Sequence, residues 1–250
     1  MEVHHHPHVE KKNFKEYFLE FLMIFLAVTM GFFAESLREK IVNHEKELHY
    51  VKGLVQDLNA DTAAISTVMT GQLITIHKMD SALNITPARL NSIAVQDTFF
   101  HHFLHFFSFY YEFVQNDNTY QQMRNGGGFS FIRNQDVIDS ITVLYTFFAQ
   151  QLKPVDADYL NYYARIVQLG IQLMDIPIPP TRLQDSSLTI IPFHRQFFIN
   201  VNLPLIRQLY STIRYDEGSL LYYMQVERVY NTKIQNLINY LNTQYHLQNE

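Results

Sequence analysis

The densest grouping of chemistry-bearing side chains is His101, His105, Ser108 and Glu112, whose i, i+4, i+7 and i+11 spacing puts them on one helical face. Two imidazoles a turn apart, His101 and His105, have the spacing to share a metal ion, or to offer an axial ligand to haem among the neighbouring phenylalanines. Glu112 lies too far along that helix to complete the same coordination sphere. The bland use of these groups is hydrogen bonding across packed helices. No H-E-x-x-H, no G-x-S-x-G and no doubled Glu-x-x-His pair accompanies them. The leading reading is therefore a protein without catalytic activity and without a cofactor, with a metal- or haem-binding helical domain as an alternative.

Composition removes other classes. There is no cysteine among the 250 residues, which excludes disulfides, thiolate zinc sites, iron–sulfur clusters and cysteine nucleophiles. A net charge of -5 with no concentrated Lys/Arg surface argues against nucleic acid as a partner. Hydrophobic residues make up 47% of the chain, enough for a substantial core, and the aromatic set is 20 Phe and 16 Tyr with no Trp.

The strongest local signal is the run YFLEFLMIFLAVTMGFFAES, which follows a polar basic tail over residues 1–16. From Tyr17 to Ala34 a helix of about 18 residues would be about 27 Å long, close to the thickness of a bilayer's hydrocarbon layer. The sequence around Ala34 is a poor signal-peptidase site, so a retained transmembrane helix is expected over residues 17–35, with the lipid bilayer as its partner. Glu20 lies inside it. Its carboxylate can snorkel to the headgroups, or, if several copies gather, line an ion path, which makes an oligomeric channel or membrane-perturbing effector the first alternative, ahead of metal or haem binding. Lysines nearly balance across the span. A large C-terminal domain translocates largely regardless of charge, so the expected arrangement is single-pass with the domain on the periplasmic side. The histidines at 4, 5, 6 and 8 read as a solvated tail.

Behind the span, over residues 36–83, apolar residues recur in alternating steps of four and three, beginning Leu37, Ile41, Leu48, Val51, Val55 and Leu58. His44, Thr62 and Gln72 interrupt this heptad-like seam, which suits either a second copy of the chain or later helices of the same chain. Asn84-Ile85-Thr86-Pro87 reads as a stop and a fresh start, with a second helix running to about Val114 and including the aromatic block FFHHFLHFFSFYYEF. A short helix over 119–124 should end in the turn Gly126, Gly127 and Gly128, which lacks the pattern of a phosphate-binding loop. Further helices are expected over 136–151, broken by Pro154, and over 156–174. A proline-rich loop follows over 176–192. The helix over 193–213 should be started or kinked by Pro204, with a reset at Asp216 to Gly218 before the final helix.

The order of basic tail, YFLEFLMIFLAVTMGFFAESLRE and NDNTYQQMRNGGGFSFIRNQDVIDSITVLY resembles an uncharacterised family of single-pass membrane proteins common in Bacteroidota. The likeness covers the chain to about residue 150, and its later segment rests on Thr119, Tyr120, Met123 and Gly127. Phe32 and Phe33 near the end of the span and the expanded glycine run depart from it. It implies an inner-membrane protein with an N-terminal anchor and a helical C-terminal domain, and it carries no activity. The fold expected from all of this is all-α, with the transmembrane helix continuing into a long helix and then an antiparallel bundle over 84–250. Such a protein would sense, scaffold or bind another protein or a second copy of itself.

Overall fold

A computed structural model of the chain describes residues 13–174 and 203–247. Its first element, α1, is one helix of 70 residues, Phe14–Leu83. No proline falls between Asn13 and Thr86, and the Glu16 carboxylate accepts the Asn13 backbone N–H at 3.2 Å to close the first turn. At about 1.5 Å per residue the helix is about 105 Å long. Its apolar first part is long and apolar enough to cross a membrane, and none of that stretch is buried by the other described residues.

A 3-10 turn, Pro87–Asn91, leads to α2, Ile93–Ser108. The stop before Pro87 is as expected, although the fresh start is a 3-10 turn before the α-helix begins. α2 ends earlier than the aromatic run suggested. Phe109 is extended (φ -122, ψ 120), and the chain is non-helical from there to Asp117. Consecutive aromatic residues are indifferent helix formers, and partners elsewhere in the fold hold this stretch extended. Next come α3, Asn118–Asn125, a second 3-10 turn, Gly128–Phe131, and α4, Gln135–Phe147.

α4 does not stop at Pro154. It widens into a π-turn, Phe148–Leu152, and runs straight into α5, Lys153–Leu173. Proline has no N–H and its ring crowds the carbonyl four residues back, so a wider turn just before it lets the helix continue. The last element, α6, spans Leu203–Tyr245 without a break. Pro204 lies in the first turn of the described helix, and the part of the expected helix before residue 203 lies outside the described residues. The reset expected at Asp216 to Gly218 is absent, because Asp216 faces the core in mid-helix. The proline-rich loop 176–192 lies outside the described residues.

Cross-connections fix the topology. Glu47 bonds Tyr245, Thr62 bonds Gln235, Gln72 bonds Glu227, and Ile85 bonds Tyr210, so α1 and α6 are antiparallel. Tyr159 stacks on Tyr223 and Tyr162 on Tyr215, which makes α5 and α6 antiparallel too. Two hydrophobic clusters follow one another along the bundle. The first joins Val51, Leu54, Leu58 and Ile65 to Val137, Ile141, Leu144, Tyr230 and Ile234. The second joins Met79 and Leu90 to Phe99, Phe103, Phe106, Ile166, Leu209 and Ile213. Each such buried side chain contributes about 1.5–3 kcal/mol. The heptad-like seam divides accordingly: Val51 and Leu58 are buried by the chain's own bundle, Leu48 and Val55 are partly buried, and Leu37 and Ile41 are exposed.

Candidate functional site

The extended segment 109–117 carries the polar chemistry into the bundle. Its groups are held by side chains from three helices. Tyr110 donates its hydroxyl to Asp156 at 2.7 Å, the Phe113 N–H donates to the Tyr223 hydroxyl at 3.1 Å, and the Gln115 amide donates to the Tyr230 hydroxyl. The Asn116 N–H then donates to Asp61 at 2.7 Å, and its side-chain amide to Asp57 at 3.1 Å.

Asp57 also accepts the Thr119 N–H at 2.8 Å, so a carboxylate on α1 caps the start of α3 from outside it. Asp57→Ala should therefore lower stability by about 1–3 kcal/mol, the range for losing charged hydrogen bonds and a cap. Denaturant unfolding reads the loss, and an unchanged midpoint would show that α3 needs no outside cap.

Where this segment meets the π-turn, a cleft of about 180 Å³ opens, lined by Glu112, Asp117, Phe148, Lys153, Asp156 and Tyr223 among others. π-turns inside α-helices recur at functional sites. Burial and the neighbouring Asp156 push the Glu112 carboxyl up, against the pull of Lys153. The cleft thus offers carboxylates and one ammonium over an aromatic floor, an arrangement suited to holding a polar group.

The interior also holds carboxylates, of which the sequence marks only Asp216, and that as a helix break. Asp61, Asp216 and Glu227 are all buried. Burial pushes Asp61 up to about 7, with Asp57 and Asp117 adding repulsion while the Asn116 N–H pulls the other way. Glu227 is raised to about 7 by burial, although the Gln72 amide, 3.2 Å away, and the Tyr223 hydroxyl favour its charged form. Glu47 is buried at the other end of the bundle, accepting from the Arg133 N–H at 3.0 Å and the Tyr245 hydroxyl at 2.9 Å. Two breaks in the apolar seam are advance signals of this polar interior: Gln72, whose partner is Glu227, and His44, whose imidazole lies 3.5 Å from Glu47.

The two histidines sit in different settings. His101 is exposed, 3.7 Å from Asp97, while His105 is half-buried against the Phe109 ring and its affinity for a proton is lowered by burial and by Lys78. Glu112 leaves their helical face because α2 ends at Ser108. Among the described residues no three His, Asp or Glu side chains come together as a metal site. Glu20 lies on the exposed surface of α1 within the apolar stretch. The glycine run forms a helix-ending turn. Gly127 has φ +74, which favours glycine, and Gly128 is buried so close to Tyr50 and Met123 that a side chain would collide with them.

The described residues define an all-α protein in which a helix of membrane-crossing length is also the first helix of an antiparallel bundle. No known family matches the chain, and no curated protein or solved structure matches it.

Proposed function

We propose that the chain is a membrane-anchored helical sensor or scaffold that binds a partner and catalyses no reaction. The Tyr17–Ala34 stretch would sit in a bacterial inner membrane, with the bundle on the periplasmic side. The observation that carries this reading is α1: among the described residues nothing covers its apolar stretch, and the same helix supplies buried residues from Glu47 to Ala82. Water would not tolerate so long a bare apolar stretch on a monomer, whereas a bilayer of matching thickness covers it. The interior polar groups and the cleft at the π-turn give the bundle something to respond with.

The test is extraction of membranes from expressing cells with alkaline carbonate. The full chain should stay in the membrane pellet, and a chain lacking residues 1–34 should appear in the soluble fraction with a helical circular dichroism spectrum. Release of the full chain by carbonate would overturn the anchor. Protease added to spheroplasts should reach the bundle, and protection there would reverse the proposed side.

A further inference from the structure

Among the described residues the two hydrophobic clusters do not merge into one core. On α1 the first ends at Ile76 and the second begins at Met79, on α5 the change falls between Tyr159 and Ile166, and on α6 between Ile213 and Leu220. These breaks lie at one level of the antiparallel bundle, and the buried residue there on α6 is Asp216. Its side chain is fully enclosed, with 0% exposure, and among the described residues neither carboxylate oxygen has a hydrogen-bond partner. α2 also ends at this level, tied down by the Tyr163 hydroxyl donating to the Phe107 carbonyl at 2.9 Å.

An ionised carboxylate enclosed without a partner is among the costliest arrangements a core can hold, while the protonated form is far cheaper to bury. Among the described residues the groups around Asp216 do not offer a compensating charge. From α5 it is faced by Tyr159 and Tyr163, and the Tyr159 hydroxyl is itself buried without a partner among the described residues. From α1, Asp80 engages the adjacent Glu217, which Arg214 also acts on. Further along, Glu227 lies with Gln72 and Tyr223, within the influence of Asp156. Burial alone pushes the Asp216 carboxyl up to about 8.

We propose that Asp216 is a proton-operated latch: while it carries a proton the two cores stay stacked, and loss of that proton opens the layer between them. This builds on the sensor reading by naming the proton as a signal. The sign follows from linkage. The closed state holds a proton that the opened state, with a carboxyl near its ordinary value of 3.8, releases. The latch is therefore fully set below about pH 4 and weakens through the window up to about pH 8. Within that window the opening constant contributed by one group rises about tenfold per pH unit, and it levels off above.

Hydrogen exchange read by mass spectrometry on the full chain in detergent micelles tests this between pH 5 and pH 8, with rates corrected for intrinsic exchange. In peptides covering 72–80, 159–166 and 213–220, the opening constant of the natural chain should climb more steeply than that of Asp216→Asn, by about tenfold per pH unit. Equal slopes in the two proteins, or no rise in the natural chain, overturn the latch. If Asp216→Asn does not fold, Asp216→Leu, which needs no hydrogen-bond partner, carries the same comparison. Carbonate extraction decides the anchor separately, so a membrane-bound chain without a pH-dependent layer would sink the latch alone.

Discussion

Tyr230→Ala should destabilise the bundle by about 3–5 kcal/mol, the range for deleting a large aromatic side chain from a packed core. Tyr230 is fully buried at the centre of an aromatic group, with ring centroids 5.9 Å from Phe113, 6.1 Å from Phe147 and 5.7 Å from Phe148. Its hydroxyl also receives the Gln115 amide, so the ring fixes both the π-turn and the extended segment. Tyr230→Phe keeps the ring and strands only that amide, at a cost of about 1 kcal/mol. Urea unfolding of the two variants separates packing from hydrogen bonding. An alanine variant as stable as the phenylalanine one would mean that the aromatic group is loosely packed.

The second large effect is expected at a glycine. In the middle of a helix Gly→Ala normally gains about 1 kcal/mol. At Gly71 an added carbon would overlap the Tyr111 ring, whose backbone carbonyl lies 3.4 Å from the Gln72 amide. Gly71→Val should consequently cost about 3 kcal/mol as the ring and the extended segment are forced outward. Gly218 provides the contrast, since a Cβ there meets nothing within 4 Å. Gly218→Ala should raise stability by up to about 1 kcal/mol. If both substitutions shifted the thermal midpoint upward, close approach would not be the reason for glycine at position 71.

The features legible in the sequence are those set locally. The apolar run, the stop before Pro87 and the short helix ending at the glycine turn each depend on neighbouring residues, and each is present in the fold. The steps of four and three on α1 showed that it packs against other helices, but only the structure shows those helices to be its own chain's from Val51 onward. Three errors share another origin. The helix expected to reach Val114 ends at Ser108 because Asp61 and Tyr223 supply partners for the N–H groups of an extended backbone. Pro154 sits inside a continuous helix because the turn before it widens. Asp216 and Gly218 look like a break because such residues usually lie in loops, yet long-range packing holds them in α6. The same holds for the candidate site: a carboxylate reads alike in a sequence whether it ends up in solvent or enclosed between two cores.

The unbroken course of α1 sets a stand-off. With the apolar stretch seated in a bilayer, the 17 residues from Ala34 to Val51 would hold the first fully enclosed core residue about 25 Å beyond the hydrocarbon edge. Surface potential fades over about 8 Å at physiological ionic strength, so the enclosed core of the bundle would stand clear of the field of the lipid headgroups. Its acidic cleft and Asp216 would then respond to the surrounding solution and to whatever else reaches that height. A binding partner would need comparable reach, whether it arrives free in solution or on a stalk of its own.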